Sequence, residues 1–405
     1  MDRPLSHRLL LAVLLGAALL SAGCVNRALR PVFSGVDAER PQIGVRLKAI
    51  EVDGEPLRTG VPTEIRFLPT GTNKASRVLV VAEKRGTLRW IDLRRGTTGF
   101  LVQIPNVGID IEQGLLGFDF HPRYPAVPEL FTHHQDAEGF GGRTVITRWT
   151  LSGDSPEAMT AEGTEVLSFD QPQGGHNGGQ LAFGPDGYLY VGFGDGGWQG
   201  DPGDRAQDTD NLFGTLIRLD IDVPGVSYSI PPDNPFVKGE ARREIWAYGF
   251  RNPWRFDFGP DGALVLADLG QDRQEEINLV EPGGNYGWSL KEGTLCFGGP
   301  RRQRRGSCED SALVDPIHSY RRAEGRAIIG GKFYTGSAIE ELDGAWVFAD
   351  YTSGRMWAMR LVNGAAEVLA LGGFGIAPTA FGRDDAGEIY VGVQGGRLYK
   401  LVPGG

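Results

Sequence analysis

The sequence predicts an all-β chain closed into a six-bladed β-propeller, and three observations point there. Glycine supplies 61 of the 405 residues, about twice its usual share of roughly 7%. Eight Trp, 20 Phe and 11 Tyr are spread among those glycines, and no three-residue glycine period exists, so collagen and low-complexity readings fail. A hairpin signature recurs along the chain, while helical periodicity of 3.6 is almost absent. Six hairpin-bearing units in one closed ring account for the length without a second domain.

Taken in order, residues 1–24 read as an export signal. Arg3 and Arg8 precede the apolar run Leu9 to Leu20, and Ser21-Ala22-Gly23-Cys24 ends it. The run is shorter than the roughly 20 apolar residues a helix needs to span a bilayer. A Cys directly after small residues is similar to a bacterial lipoprotein box, which would make Cys24 the lipidated residue; a plain secretory signal is the alternative. Val25-Asn26 lacks the Asp that often signals inner-membrane retention. The expectation is an exported protein, anchored by lipid at the cell envelope on the outer membrane facing the periplasm. Residues 25–45, with Pro31, Ser34, Gly35 and Pro41, are expected to be a tether, and 46–403 the propeller.

The six units then follow. Phe67-Leu68-Pro69 precedes a strand at 77–82, and Phe120-His121-Pro122 precedes one at 129–133. Phe183-Gly184-Pro185-Asp186-Gly187 leads into Tyr188–Gly192, and Phe258-Gly259-Pro260-Asp261-Gly262 into Ala263–Ala267. Phe333-Tyr334 precedes 344–349, and Phe381-Gly382 with Ala386-Gly387 leads into Glu388–Gly392. Pro/Asp/Gly turns supply the positive φ that tight hairpins require, and the flanking β-branched and aromatic residues form strands. Cys296 and Cys308 are the cysteines left after export; in an oxidising compartment they can close a loop around Arg301–Arg305, with zinc the weaker alternative. The formal charge of −10 argues against a nucleic-acid partner.

Three constellations carry chemistry. His176 lies in Gly174-Gly175-His176-Asn177-Gly178-Gly179-Gln180, where the glycines leave its ring uncovered. Histidine takes a proton near neutral pH, which suits a general base. Asp195 lies at the far end of the hairpin that His176 begins, placed to orient it, although a turn His and a turn Asp bonded to backbone are the plain alternative. Arg251, in Tyr248–Trp254, is a rigid cationic donor suited to polarising an oxygen, or else a structural tie between blades. The segment Asp268–Glu276, followed by Gly283–Trp288, mixes carboxylates with glycine-exposed carbonyls, as a hard cation such as Ca²⁺ prefers. Its alternative is a solvated acidic turn. His133-His134 reads as structural.

Together these motifs resemble the glucose/sorbosone dehydrogenase family of soluble quinoproteins, and their hedgehog-interacting-like relatives, over roughly residues 46–402. The resemblance rests on Gln113–Phe118 with Phe120-His121-Pro122, on His176–Gln180 with Gly194-Asp195, on Arg251-Asn252-Pro253, and on Glu275–Asn278 with Gly283–Trp288. It implies the soluble quinoprotein glucose dehydrogenase-like propeller and oxidation of an aldose by pyrroloquinoline quinone (PQQ) with Ca²⁺, the electron acceptor unspecified. By that resemblance His176 removes the anomeric hydroxyl proton, Asp195 orients it, and Arg251 with Asn252 faces the quinone. Gly270 and Gln271 carbonyls would face a calcium ion that bridges to the cofactor, and Glu276 and Tyr286 match positions that ligate structural calcium.

The chain departs from the glucose-oxidising pattern in three places. Glu112 stands where those members carry a Gln against the cofactor, Thr352 falls at their Lys, and Gly373–Ala377 contains no cation at their pair of arginines. The competing expectation is therefore a lipid-tethered propeller that binds a carbohydrate or a protein without redox chemistry. A metal-dependent lactone hydrolase is the third.

Overall fold

In a computed structural model, which describes residues 41–404 apart from 53, 72–75, 111 and 298–306, six antiparallel four-stranded sheets form the six blades of the propeller. Blade 1 comprises Pro62–Phe67, Val78–Glu83, Thr87–Asp92 and Thr98–Gln103. Blade 2 comprises Leu115–Phe120, Glu129–Gln135, Arg143–Ser152 and Thr160–Asp170. Blade 3 runs from Leu181–Phe183 through Leu189–Phe193 and Thr215–Leu219 to Ile245–Tyr248. Blade 4 holds Pro253–Phe258, Leu264–Asp268, Gln274–Leu279 and His318–Arg321; blade 5 holds Ile328–Phe333, Trp346–Asp350, Arg355–Val362 and Ala365–Gly373. The export signal, the proposed lipidation residue Cys24 and the basic run at 301–305 lie outside the described residues.

Blade 6 closes the ring. Its inner strands Pro378–Arg383, Ile389–Val393 and Leu398–Pro403 come from the C-terminus, and its outermost strand, Val45–Ala49, comes from the start of the described chain. Pairing Val45 with Pro403 and Ala49 with Tyr399 ties both ends of the propeller into one sheet, which leaves no open ring edge. Attachment begins before residue 46: Gln42 exchanges hydrogen bonds with Ala370 at 2.8 Å in both directions, and Ile43 is buried. The expected tether at 25–45 thus has its last residues packed on blades 5 and 6.

The first strand of every blade lies innermost, next to the first strands of its neighbours. Apolar residues between successive blades bury against one another, as with Val80, Phe118 and Leu130 between blades 1 and 2. The Pro-Asp-Gly hairpins recur as expected; Gly187 and Gly262 hold φ of +84° and +86°, which any Cβ would oppose. Because the inner strands all run one way, the loops that enter them gather at one mouth of the central channel. These loops include 104–114, 171–180, 248–252 and 322–327. The turns after each second strand, among them 194–200 and 269–273, gather there too.

Candidate active site

His176 sits on the loop entering blade 3, with φ of +52°. Left-handed backbone is costly for a residue with a Cβ and collects at sites where surrounding structure imposes it; Asn106, Trp198, Asp201 and Asp204 share that geometry on the same mouth. Three partners impose it here. The backbone N–H of His176 donates to Glu112 Oε2 at 2.5 Å, its Nδ1 lies 2.6 Å from Asp195 Oδ1, and its Nε2 lies 2.7 Å from Arg251 Nη2. A guanidinium only donates. Nε2 must therefore accept from Arg251, and Nδ1 must carry the proton that it gives to Asp195. The ring is neutral, with its basic lone pair at the mouth.

Asp195 is fully buried. Its second oxygen accepts from Trp288 Nε1 at 2.8 Å, and Oδ1 also accepts from the Gly197 N–H at 2.9 Å. This carboxylate is an orienting group with its lone pairs occupied. The hairpin joined by Pro185-Asp186-Gly187 brings the two ends together as expected. Gly194 lets the strands meet there, since a Cβ on it would stand 2.1 Å from the His176 carbonyl oxygen.

Arg251 and Asn252 are fixed by Asp268, whose two oxygens accept their backbone N–H groups at 2.8 and 2.6 Å. Burial pushes the Asp268 carboxyl well up from its ordinary value, and the two N–H donors oppose that shift. Arg251 also donates to the Leu269 carbonyl at 3.0 Å and lies over the Trp288 ring. The Asn252 side chain accepts from the Gly178 N–H at 2.9 Å and donates to Glu112 at 3.2 Å. Glu112 is thus the knot that joins the His176 loop to the Arg251 loop. The expected catalytic residues His176, Asp195 and Arg251, with Glu112 and Asn252, form one hydrogen-bonded unit.

Gly270 and Gln271 lie on the turn beyond Asp268, beside Arg251. Among the described residues neither carbonyl accepts a hydrogen bond. The acidic residues around them disperse. Glu292 Oε1 gathers the N–H groups of Gln271, Asp272 and Arg273 at 2.6–2.8 Å. Glu275 pairs with Arg322, and Glu276 accepts from the Gly293 N–H at 2.7 Å and Asn278 at 3.0 Å. The Tyr286 hydroxyl instead donates to the Leu279 carbonyl at 2.8 Å while its ring stacks on Phe250. Glu276 and Tyr286 therefore spend their side chains on different partners. Among the described residues no group of three or more His, Cys, Asp or Glu is placed to hold a metal. Cys296 and Cys308 are joined by a disulfide.

Sequence reasoning missed Asp268 as the carboxylate that aims Arg251, and Trp288 as a donor to Asp195. Both stood inside quoted motifs, and the only available signal was their place at a strand end and after a glycine-rich turn.

The glucose/sorbosone dehydrogenase family model matches residues 60–398. The chain belongs to that family. It is 33% identical over 318 residues to HIPL2 protein of Arabidopsis thaliana, covering 65% of this chain and 46% of that protein. It is 29% identical over 241 residues to the aldose sugar dehydrogenase YliI of Escherichia coli, covering 59% and 61%. The chain spans about half the length of the first curated relatives it matches. Among solved structures, the PQQ-bound aldose sugar dehydrogenase of Streptomyces coelicolor aligns with a TM-score of 0.67 at 24% identity, over 90% of this chain and 99% of that one. At that identity the likeness shows the six-bladed propeller alone.

Proposed function

We propose that this family member oxidises an aldose sugar at its anomeric carbon to the lactone, with PQQ as electron sink and Ca²⁺ beside it. One observation carries the reading: a neutral His176 whose proton sits on Nδ1, locked by a buried Asp195, with Nε2 facing the mouth. That is the geometry of a general base.

The mouth offers a fit for the cofactor at its reacting end. Arg251 keeps a buried Nε without a partner among the described residues, and the unclaimed carbonyls of Gly270 and Gln271 are oxygen donors of the kind a hard cation takes. The exposed Arg326, on the loop entering blade 5, is a cation on the same mouth that can meet a carboxylate, whereas Lys84, on the turn after the second strand of blade 1, donates to the Asp110 carbonyl at 2.9 Å. When bound, PQQ accepts the hydride from the anomeric carbon. The chain's own residues do the rest. His176 Nε2 would take the hydroxyl proton, Arg251 would be the residue that holds an oxygen of the cofactor, and Asp195 would stabilise the imidazolium that forms. Glu112 and Asn252 keep the two loops in register. Export and a lipid on Cys24 would place this chemistry in the cell envelope.

The test is reconstitution. Purified protein given PQQ and Ca²⁺ reduces an artificial acceptor when an aldose is added, and the protein without PQQ does not. The absence of any cation at 351–352 and 373–377 favours a second reading, a propeller that binds its carbohydrate without redox chemistry. PQQ carries three carboxylates, and an unpaired buried charge costs several kcal/mol. Calorimetry separates the two: no PQQ binding at saturating Ca²⁺ overturns the oxidation reading.

A further inference from the structure

One short hairpin backs both halves of the candidate site. Its strands, Lys291–Glu292 and Leu295–Cys296, pair antiparallel, and the Phe297 N–H closes its base by donating to the Leu290 carbonyl at 2.8 Å. On one side it carries the buried Glu292, whose Oε1 gathers the N–H groups of the turn that presents Gly270 and Gln271. On the other side Phe297 packs on Trp288, with ring centroids 4.7 Å apart. Trp288 donates from Nε1 to Asp195 at 2.8 Å, and the Arg251 guanidinium lies over its ring.

The Trp288 backbone is tied independently, to the Gly249 carbonyl at 2.9 Å and to Gln207 Nε2 at 2.6 Å. Its ring has less support. Trp288, Phe297 and Ala206 form a small apolar cluster separate from the cores between blades, and such a satellite stands on few contacts. Two-residue strands add little, since a lone hairpin is marginal in water. The hairpin is held instead by a covalent bond: Cys296, directly before Phe297, is joined to Cys308, 12 residues on. Cys296 is exposed and Cys308 only half-buried, so thiol reagents can reach the bridge.

We propose that the Cys296–Cys308 disulfide is a redox-sensitive fastening of the base, and that Trp288 is the positioning residue through which it acts. Closing it joins the two sulfurs and passes two electrons and two protons to a disulfide-bearing oxidant, which leaves as a dithiol. With the bridge closed, Phe297 holds the Trp288 ring, Trp288 holds Asp195, and Asp195 holds the Nδ1 proton of His176. With the bridge open the blades stay folded, but the ring is released and the base loses its fixed tautomer. The inference rests on the reading of His176 as a base, and its test needs neither cofactor nor sugar.

Proton exchange followed by NMR on the whole isotope-labelled protein reads the fastening. The Trp288 Nε1 proton is identified by its absence in Trp288→Phe, and the His176 Nδ1 proton by its absence in His176→Gln. Both are followed in the oxidised protein, after reduction with dithiothreitol, and in the Cys296→Ser/Cys308→Ser variant. Opening the bridge should quicken both exchanges about tenfold or more, while the Val80 and Val391 amides in blades 1 and 6 keep their rates. Reoxidation should restore the reduced protein and leave the double variant unchanged. The proposal is overturned if both protons keep their oxidised rates with the bridge open, or if dithiothreitol leaves the bridge closed. Blade amides that quicken equally also overturn it, since the disulfide would then only staple the fold. A protein that loosens on reduction yet oxidises no sugar keeps the fastening and sinks the oxidation reading. One that oxidises a sugar while holding both protons whatever the state of the bridge does the reverse.

Discussion

The mouth and the interior of the central channel use charge in opposite ways. From just beneath the His176 loop down to the far mouth, side chains of the inner strands themselves build an ionic lattice. Glu64 lies 3.5–3.6 Å from Arg66, Arg255 and Lys332; Arg66 reaches Asp119 at 3.2 Å; and Asp257 faces Lys332 and Arg383 at 3.8 and 3.5 Å. Every charge there is answered by another charge. At the His176 end the functional groups come from loops, and backbone N–H groups or single neutral partners hold them. Glu112, Asp195 and Asp268 each spend their oxygens on positioning, and only Nε2 of His176 and the guanidinium of Arg251 face each other across the mouth. Rigid strands with compensated charge make a frame. Loops pinned by buried carboxylates on that frame make a site whose reactive atoms meet only each other.

The sharpest way to break this contrast is at Nε2. His176→Ala should lower sugar turnover by about 10²–10⁴-fold, the range for removing a positioned general base, and leave the thermal midpoint nearly unchanged. Steady-state kinetics on the reconstituted protein checks both halves. Turnover unaltered in that variant would remove His176 from the mechanism.

The next largest effect lies in the channel lattice and falls on stability. Arg255 is buried, donates to the carbonyls of Leu116 and Thr63, and faces Glu64. Arg255→Met removes one of three cations from the buried Glu64 and takes the charged donor from the Leu116 and Thr63 carbonyls, and breaking a buried pair from one side costs about 3–5 kcal/mol. Guanidinium unfolding should show that loss as a lower midpoint. Stability equal to the parent's would mean that the lattice is solvated in the channel and not a frame.

How much of this was legible beforehand follows from how local each signal is. The Pro-Asp-Gly hairpins at 185–187 and 260–262 announced blades because turn chemistry acts over four residues. His176 and Asp195 were linked because one hairpin joins them. The sequence placed the start of the propeller at 46 but did not assign the strand Val45–Ala49 to the last blade, because its partner, Leu398–Pro403, lies at the other end of the chain, and no local pattern marks such pairing. The channel lattice was invisible for the same reason: Glu64, Arg255 and Lys332 stand on three separate strands far apart in sequence. The acidic run 268–276 shows the limit of local pattern in the opposite sense. Its carboxylates look clustered in sequence, but alternation along a strand sends Glu275 to Arg322 and Glu276 to Gly293.

A third test uses pH. His133 and His134 are buried on the second strand of blade 2, His133 with its ring edge-on to Phe193 of blade 3, and burial, the largest cause, brings them down to about 3 and about 4. Their folded values lie below the ordinary imidazole value, so the unfolded chain binds protons that the folded chain refuses. Stability is therefore complete above pH 6.5 and falls as the pH drops toward 4, by at most ~1.4 kcal/mol per pH unit for each ring. Thermal midpoints between pH 7.5 and 5 should show this decline, and His133→Asn should flatten it. An unchanged slope would mean that carboxylates, not these rings, govern the acid limb.

The smallest effect asks where the frame ends. His121 lines the cavity of about 210 Å³ at the far mouth, and its Nε2 lies 3.1 Å from Asp222, which also accepts from Arg123 at 2.8 Å. This cluster continues the lattice outward, but Arg123 is exposed. Water already solvates both charges of that pair, so holding them together gains little beyond the entropy it costs. Arg123→Ala should shift stability by about 0.2–1 kcal/mol, and less in high salt, because the Debye length shrinks. Denaturation at two salt concentrations reads both. A loss near that of Arg255→Met would extend the ionic frame to the protein surface; a small, salt-sensitive loss confines it to the channel, where burial rather than pairing decides what a charge is worth.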